Sequence, residues 1–167
     1  MAKSAIIVAS AVCFLSFLGL AQALDRFFVK GSVYCDTCRI QFPTRISEPM
    51  PSATVRVECR EFEGSTNITF SKDTQTDEKG TYSVEVDGDH EEELCEVVLV
   101  KSPRSDCSEI DKEAHLAQSA KISITGNNGI VSNVRNANPL GFLKKEKSPD
   151  CKAVLEELGI HEDGTFI

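Results

Sequence analysis

The sequence predicts an all-β fold, a small antiparallel β-sandwich or partly closed β-barrel of about seven strands with Greek-key-like connections. Short segments that alternate apolar and polar residues recur along the chain, and turn-forming residues separate them. One segment near the C-terminus carries helix signals. Six cysteines remain after an apparent leader, which in an exported chain is typical of three disulfides. We therefore expect one disulfide-stapled domain over residues 24–167, with a flexible tail after about residue 160.

Residues 1–23 have the composition of a secretory signal peptide. Lys3 gives a positive start, residues 6–20 are apolar, and Ala21-Gln22-Ala23 forms an A-x-A cleavage site. We expect cleavage after Ala23 and secretion to the extracellular space or cell wall. The apolar run is too short to span a bilayer, so no membrane insertion is expected.

The acidic charge bears on possible partners. Loss of Lys3 with the leader takes the formal net charge from −8 to −9. Such a chain repels phosphate groups at long range, which argues against nucleic-acid or anionic-membrane partners.

The first half of the mature chain contains the clearest strand patterns. A strand over residues 27–34 leads into Cys35 and Cys38, which would face opposite ways and bond to different distant parts of the chain. Prolines then predict a loop over residues 39–52. Residues 53–60 alternate strictly, with an apolar face that includes Cys59 and a wet face of charged residues. The residues of these two faces are Ala53, Val55, Val57 and Cys59 inside, and Thr54, Arg56, Glu58 and Arg60 outside.

The next strand carries a candidate modification site. We expect Ile68 and Phe70 on one side of it and Asn67 and Thr69 facing outward. Asn67-Ile68-Thr69 is an N-glycosylation acceptor, so Asn67 is the predicted glycan carrier.

The second half continues with strands and ends in a helix. The strand patterns cover residues 82–86, a central strand over 94–100 that turns Cys95 inward, residues 119–125, and a return strand over 130–134 after a Gly126–Gly129 hairpin turn. Ser148 as N-cap and Pro149 at the first position begin a short helix, which Gly159 ends.

The sequence favours no active site. The Cys35-x-x-Cys38 spacing lacks the βαβ setting of a redox motif and the further ligands of a zinc site, so structural disulfides are favoured. The acidic loop over residues 87–93 lacks the EF-hand pattern, which favours a solvated loop over a calcium site. No hydrolase nucleophile motif is present. We expect no enzyme activity, no cofactor and no metal site.

Several segments resemble one protein family. Residues 31–39, Gly-Ser-Val-Tyr-Cys-Asp-Thr-Cys-Arg, are similar to the signature of the major olive pollen allergen family, although Lys30 stands where that pattern has Glu, Gln or Thr. Further similar segments are residues 55–59, 95–100, 102–107 and 138–142.

The resemblance implies a disulfide pattern that spacing alone leaves among fifteen possibilities. Carried onto this chain, it gives Cys35–Cys107, Cys38–Cys151 and Cys59–Cys95. It also implies a secreted, N-glycosylated β protein that acts in pollen hydration, germination or pollen-tube growth.

The resemblance suggests a receptor-like kinase ectodomain or a cell-wall component as the partner. The alternatives are a structural or carbohydrate-associated wall protein and, less favoured, an extracellular redox or hydrolytic enzyme. The absence of Trp argues modestly against a sugar-stacking platform. The oligomeric state is left open.

Overall fold

The computed structural model describes residues 26–110, 119–122 and 132–161. The predicted signal peptide with its Ala23 cleavage site, the Gly126–Gly129 turn and nearly all of the predicted tail lie outside these ranges. Ten strands and one helix occupy the described residues, and seven of the strands have at least four residues. They are β1 (Arg26–Asp36), β2 (Glu48–Pro49), β3 (Thr54–Arg60), β4 (Ile68–Gln75), β5 (Thr81–Asp87), β6 (Leu94–Lys101), β7 (Cys107–Glu109), β8 (Ser119–Ile122), β9 (Val134–Asn136), β10 (Leu140–Lys144) and α1 (Cys151–Glu157).

The longest strand, β1, organises a six-stranded sheet. Its first half lies between β5, which is antiparallel to it, and β9, which is parallel. Its second half lies between antiparallel β2 and parallel β10, and β10 also pairs with β7. The predicted all-β sandwich with a short C-terminal helix is confirmed. The two parallel pairings are an addition to the antiparallel arrangement that the sequence predicts.

The second sheet has four strands in the order β4-β3-β6-β8, all antiparallel. The chain leaves this sheet after β4, forms β5 in the other sheet and returns as β6 beside β3, which is a Greek-key-like path. The central position predicted for β6 is confirmed, since it pairs on both sides.

The hydrophobic core lies between the two sheets. The alternation in residues 53–59 and 82–86 places the odd-numbered members of the first segment and the even-numbered members of the second inside, as the period of two predicts. These core residues are Ala53, Val55, Val57, Cys59, Tyr82, Val84 and Val86, each at most 4% exposed.

The return strand predicted over residues 130–134 does not pair as expected at its described end. Val134 begins β9 and lies opposite Phe28 of β1, in the other sheet from β8. A hairpin would have kept this segment beside β8. Strand β9 instead belongs to the six-stranded sheet, where it pairs with β1 in parallel, whereas β8 pairs with β6 in the four-stranded sheet.

Helix α1 begins two residues later than the sequence suggests. Asp150, not Ser148, occupies the N-cap, and the Ser148 carbonyl accepts the Cys151 N–H in a preceding turn. The predicted end is confirmed: Gly159 has a φ of 68°. Ile160 N–H donates to the Leu155 carbonyl and Gly159 N–H to that of Glu156, which together form a Schellman motif. No helix in the described ranges has the length and apolar character needed to cross a bilayer.

Gly80 lies in a turn that packs closely against the backbone of neighbouring strands. It ends the turn in which its N–H donates to the Asp77 carbonyl, with a φ of 74°, and an added Cβ would lie 2.7 Å from the Val33 carbonyl oxygen and 2.8 Å from the Met50 nitrogen. We expect Gly80→Ala to lower the free energy of unfolding by at least about 3 kcal/mol, because backbone strain and a steric clash combine. Urea denaturation of the oxidised protein measures this change.

The matched control for this substitution is Gly64→Ala. Gly64 also has a positive φ, 81°, but no atom lies within 4 Å of its added Cβ. Gly64→Ala should lower the free energy of unfolding by only about 1 kcal/mol, because alanine must adopt a left-handed backbone conformation there. Equal losses for the two variants would contradict the clash at Gly80.

Candidate functional site

The six cysteines of the described chain form three buried bridges. Cys35 bonds Cys107, Cys38 bonds Cys151, and Cys59 bonds Cys95, with Cα–Cα distances of 6.0, 5.4 and 4.0 Å. These are the pairs that the family resemblance implies. Cys35 and Cys38 thus have separate distant partners, and every sulfur-bearing residue is at most 4% exposed. The Cys35-x-x-Cys38 motif ties β1 to β7 and to α1.

Asp36, between these two cysteines, is a buried carboxylate that holds the loop after β1. It is fully buried, and its oxygens accept four backbone N–H groups at 2.6–3.1 Å. The donors are residues 38–41, and Arg39 and Gln41 have positive φ values of 59° and 65° that turn their N–H groups inward. Burial, and then the negative charge of Asp36, raise the pKa of the Tyr34 phenol.

The acidic loop between β5 and β6 is held by internal hydrogen bonds. His90, 9% exposed, has Nδ1 at 2.7 Å from Glu93 and Nε2 at 3.2 Å from the Asp87 carbonyl. Its ring packs edge-on against Phe27 and Phe70. Glu93 also lies near the sulfur atoms of Cys59 and Cys95, but a disulfide offers no thiolate to a metal.

A β-bulge overturns the predicted facing of β4. Cys59 lies opposite Phe70, but the next residue, Arg60, lies opposite Ile68, so Thr69 is an extra residue in β4. A bulge reverses the alternation beyond it. Ile68 is therefore 44% exposed on the outer face, while Phe70 packs partly buried against the core. The expectation that Ile68 faces inward is wrong for this reason.

The bulge creates an exposed apolar surface, which we call the β3 patch: Arg60, Phe62, Ile68 and Leu94. In register, Arg60 of β3 has Ile68 of β4 on one side and Leu94 of β6 on the other. Leu94 is 44% and Phe62 61% exposed. Arg60, Phe62 and Leu94 also line a cleft of about 430 Å³ beside the patch.

Charged groups surround the patch and fix Arg60. The Arg60 guanidinium donates to Glu58 at 2.6 Å and to the Ser65 carbonyl at 3.2 Å. Its buried Nε has no hydrogen-bond partner within the described part of the chain. Glu58, predicted on the wet face, is only 6% exposed, because Arg56 and Arg60 flank it along the strand.

A second ion pair lies at the edge of the cleft. Lys121 of β8 donates to Glu63 at 2.9 Å, and this hydrogen bond raises the pKa of Lys121 and lowers that of Glu63. The apolar residues of the patch are thus bordered by charges of both signs, as in the rim of a protein-binding surface.

The candidate glycan carrier lies next to the patch. Asn67 is exposed in the loop just before β4, and its side chain donates to Glu61 at 3.2 Å. The single hydroxyl proton of Thr69 in the acceptor motif is shared between Glu93, at 2.6 Å, and the Cys59 carbonyl, at 3.0 Å. Whether a glycan occupies Asn67 stays a prediction.

The cysteines and Asn67 are recognisable from the sequence, whereas the β3 patch and the role of Asp36 are not. No sequence pattern marks the bulge at Thr69, and a single Asp within a cysteine motif gives no sign of being buried. The arrangement offers a rigid surface for binding, and it brings together no nucleophile and base among the described residues.

Comparison with known proteins gives consistent matches along the chain. The sequence model of the family described as "Pollen protein Ole e 1 like" matches residues 25–159. The "Olee1-like protein" of Betula pendula is 56% identical over 98% of both chains. "Anther-specific protein LAT52" of Solanum lycopersicum is 45% identical over 96% of this chain and 97% of its own. The crystal structure of the major plantain pollen allergen Pla l 1 superimposes with a TM-score of 0.66 at 38% identity, covering 75% of this chain and 99% of that one.

Asp36 generates a stability prediction. In Asp36→Asn, the amide nitrogen would face backbone N–H donors, so at least two hydrogen bonds to a charged group are lost. We expect a loss of about 3 kcal/mol or more in the free energy of unfolding. The control is Asp73→Asn, which breaks an exposed ion pair with Arg56 and should cost about 1 kcal/mol or less. Urea denaturation at neutral pH measures both, and similar losses would argue against a special role for Asp36.

Proposed function

Because this chain belongs to the Ole e 1-like family of pollen proteins, we propose that it is secreted and acts without catalysis, as an extracellular binding partner in pollen hydration, germination or pollen-tube growth. Its partner is a receptor-like kinase ectodomain at the pollen-tube surface. A structural or carbohydrate-associated wall protein is the alternative.

Features of the cysteines and the N-terminus support secretion. Three buried disulfides are typical of proteins in an oxidising compartment and so support export. The leader-like composition of residues 1–23 agrees with this. Asn67 is exposed, so a glycosyltransferase could reach it during export.

The main support for a binding role is the exposed β3 patch. Protein interfaces are centred on aromatic, aliphatic and Arg side chains inside a polar rim, and a few such residues carry most of the binding energy. Phe62 and Leu94 project beside Arg60, whose guanidinium is held in place by Glu58 and the Ser65 carbonyl. Phe62, Ile68 and Leu94 are exposed together, and a cluster of exposed apolar side chains with a polar rim is typical of an interaction surface.

A disulfide fixes two of the strands that carry the β3 patch. The Cys59–Cys95 bridge joins β3 to β6 at the residues immediately next to Arg60 and Leu94. A surface fixed before binding loses less conformational freedom when the partner docks. Beside this bridge, His90 contacts Glu93 and the Asp87 carbonyl through its two ring nitrogens and so holds the loop between β5 and β6.

The patch gives the direct test of this function. We expect the double variant Phe62→Ala/Leu94→Ala to bind a pollen-tube receptor ectodomain at least about 30-fold more weakly, because two central apolar contacts are lost at about 1 kcal/mol or more each. The measurement is saturable binding of the oxidised, glycosylated mature protein to pollen-tube surface extracts, followed by titration against the purified ectodomain that it recovers.

The chain offers a matched control in Phe42→Ala/Leu158→Ala. These residues are also exposed, at 38% and 49%, and lie in the loop after β1 and at the end of α1. The control should bind as the wild type does. Recovery of wall polysaccharide in place of a competed receptor would favour the structural alternative, and equal binding by both double variants would contradict the β3 patch as the contact surface.

A further inference from the structure

A row of charged residues crosses the outer face of the four-stranded sheet beside the β3 patch. Glu58 of β3 lies directly opposite Glu96 of β6, and Glu96 lies opposite Lys121 of β8. Two positions away along β3 and β6, Arg60 and Leu94 of the patch point to the same face. Two carboxylates of like charge are therefore cross-strand neighbours at the border of the patch, an arrangement that destabilises a sheet unless other charges compensate for it.

Three cations on this side of the sheet each pair with a carboxylate other than Glu96. These ion pairs are Arg56–Asp73, Arg60–Glu58 and Lys121–Glu63, with N–O distances of 2.5, 2.6 and 2.9 Å. The hydrogen bond from Glu63, and to a smaller extent the charge of Glu96, raises the pKa of Lys121. Glu96 itself is half-buried and makes no hydrogen bond or ion pair with any residue in the described ranges. It is a carboxylate without a counter-ion of its own.

Glu96 lines the cleft of about 430 Å³ beside the β3 patch, together with Phe62 and Leu94. The cleft thus presents an aromatic ring, an aliphatic side chain and an unpaired carboxylate to one incoming group. The two cations that line it are held in the ion pairs given above. With Glu58, which holds one of them, the site has three carboxylates and two cations, so one negative charge is in excess.

An arginine side chain matches each of these features. Its guanidinium donates two parallel N–H groups to a carboxylate and stacks on the face of an aromatic ring. Its methylene groups cover apolar surface while the charged end reaches a polar partner. A neutral polar side chain would leave the charge of Glu96 unpaired, and a carboxylate would be repelled by it.

We propose that the partner of the β3 patch inserts an arginine, flanked by apolar residues, into this cleft. The guanidinium pairs with Glu96 and lies against Phe62, and the flanking apolar residues cover Leu94 and Ile68. The net charge of the protein, −8, favours the approach of a basic surface at long range. This inference rests on the proposed function, because it names the chemistry with which a receptor ectodomain contacts the same surface.

Two blocked peptides of equal shape test the inference without a receptor. They are acetyl-Leu-Arg-Leu-amide and acetyl-Leu-citrulline-Leu-amide, in which a neutral urea group replaces the guanidinium. We expect NMR titration of the oxidised mature protein to show about fivefold tighter binding of the arginine peptide, the ratio for an ion pair of about 1 kcal/mol at a partly exposed site. The amide signals of residues 60–64, 94–96 and 121 should shift.

Two variants tie the preference to Glu96. Glu96→Gln should bind both peptides equally, because a neutral amide of the same shape replaces the carboxylate. Glu156→Gln makes the same change at an exposed position on α1 and should keep the fivefold ratio. Both variants should unfold at the wild-type urea midpoint, since neither substitution alters the core. Phe62→Ala should weaken the binding of both peptides.

The outcomes separate this inference from the proposed function. Equal binding of the two peptides by the wild type, binding of neither, or an unchanged ratio in Glu96→Gln would overturn the inference. A receptor ectodomain that binds Glu96→Gln as tightly as the wild type, but loses affinity for Phe62→Ala/Leu94→Ala, would overturn it and leave the proposed function standing. Peptide binding as expected, with no receptor recovered, would support the preference of the cleft for arginine and count against the proposed function alone.

Discussion

The rest of the structure depends on how β1 ends. Four strands pair with β1, and at its C-terminal end the Asp36 carboxylate gathers the N–H groups of residues 38–41 into a fixed loop. This loop sets the positions of Cys35 and Cys38, which face different directions and bond to β7 and to α1. A buried carboxylate is stable only with such donors. Without it, two of the three bridges would have to close from a loop with no preferred shape.

The second sheet depends on a different constraint. Cys59 and Cys95 lie opposite each other on neighbouring strands, so their bridge fixes the register of β3 and β6. Next to that fixed pair, β4 takes in the extra residue Thr69, and the bulge turns Ile68 outward. The bulge therefore exposes apolar surface on a part of the sheet that cannot shift to bury it. Arg60, Ile68 and Leu94 of the β3 patch therefore lie on paired strands, and Phe62 lies in the loop between β3 and β4.

Much of the core could be predicted from sequence, because alternation reports which face of a strand is buried. Val55, Val57, Tyr82, Val84 and Val86 follow it without exception. Alternation does not indicate the buried face where a bulge interrupts the period of two, or where long neighbouring side chains cover a polar residue. Ile68 follows a bulge, and Glu58 is covered by the long side chains of Arg56 and Arg60.

The pairing of strands and of cysteines that are distant in sequence could not be predicted from the residues themselves. Val134 gives no local sign that it will join β1 in place of β8, because parallel partners are chosen by the path of the whole chain. Six cysteines allow fifteen pairings, and only the family resemblance selected the three that the structure contains. The β3 patch could not be predicted for the same reason, because it assembles side chains from strands that are distant in sequence.

The position of Asn67 bears on how a partner could reach the β3 patch. Asn67 directly precedes Ile68, so a glycan there would border the patch on the β4 side, at the free edge of the four-stranded sheet. A hydrated glycan at that edge opposes pairing with another strand, a recognised hazard of exposed edges. It would also block approach from the β4 side and leave the side formed by Phe62, Leu94 and Lys121 open. A protein partner would then dock from the β6–β8 side, where the cleft and the Lys121–Glu63 ion pair lie.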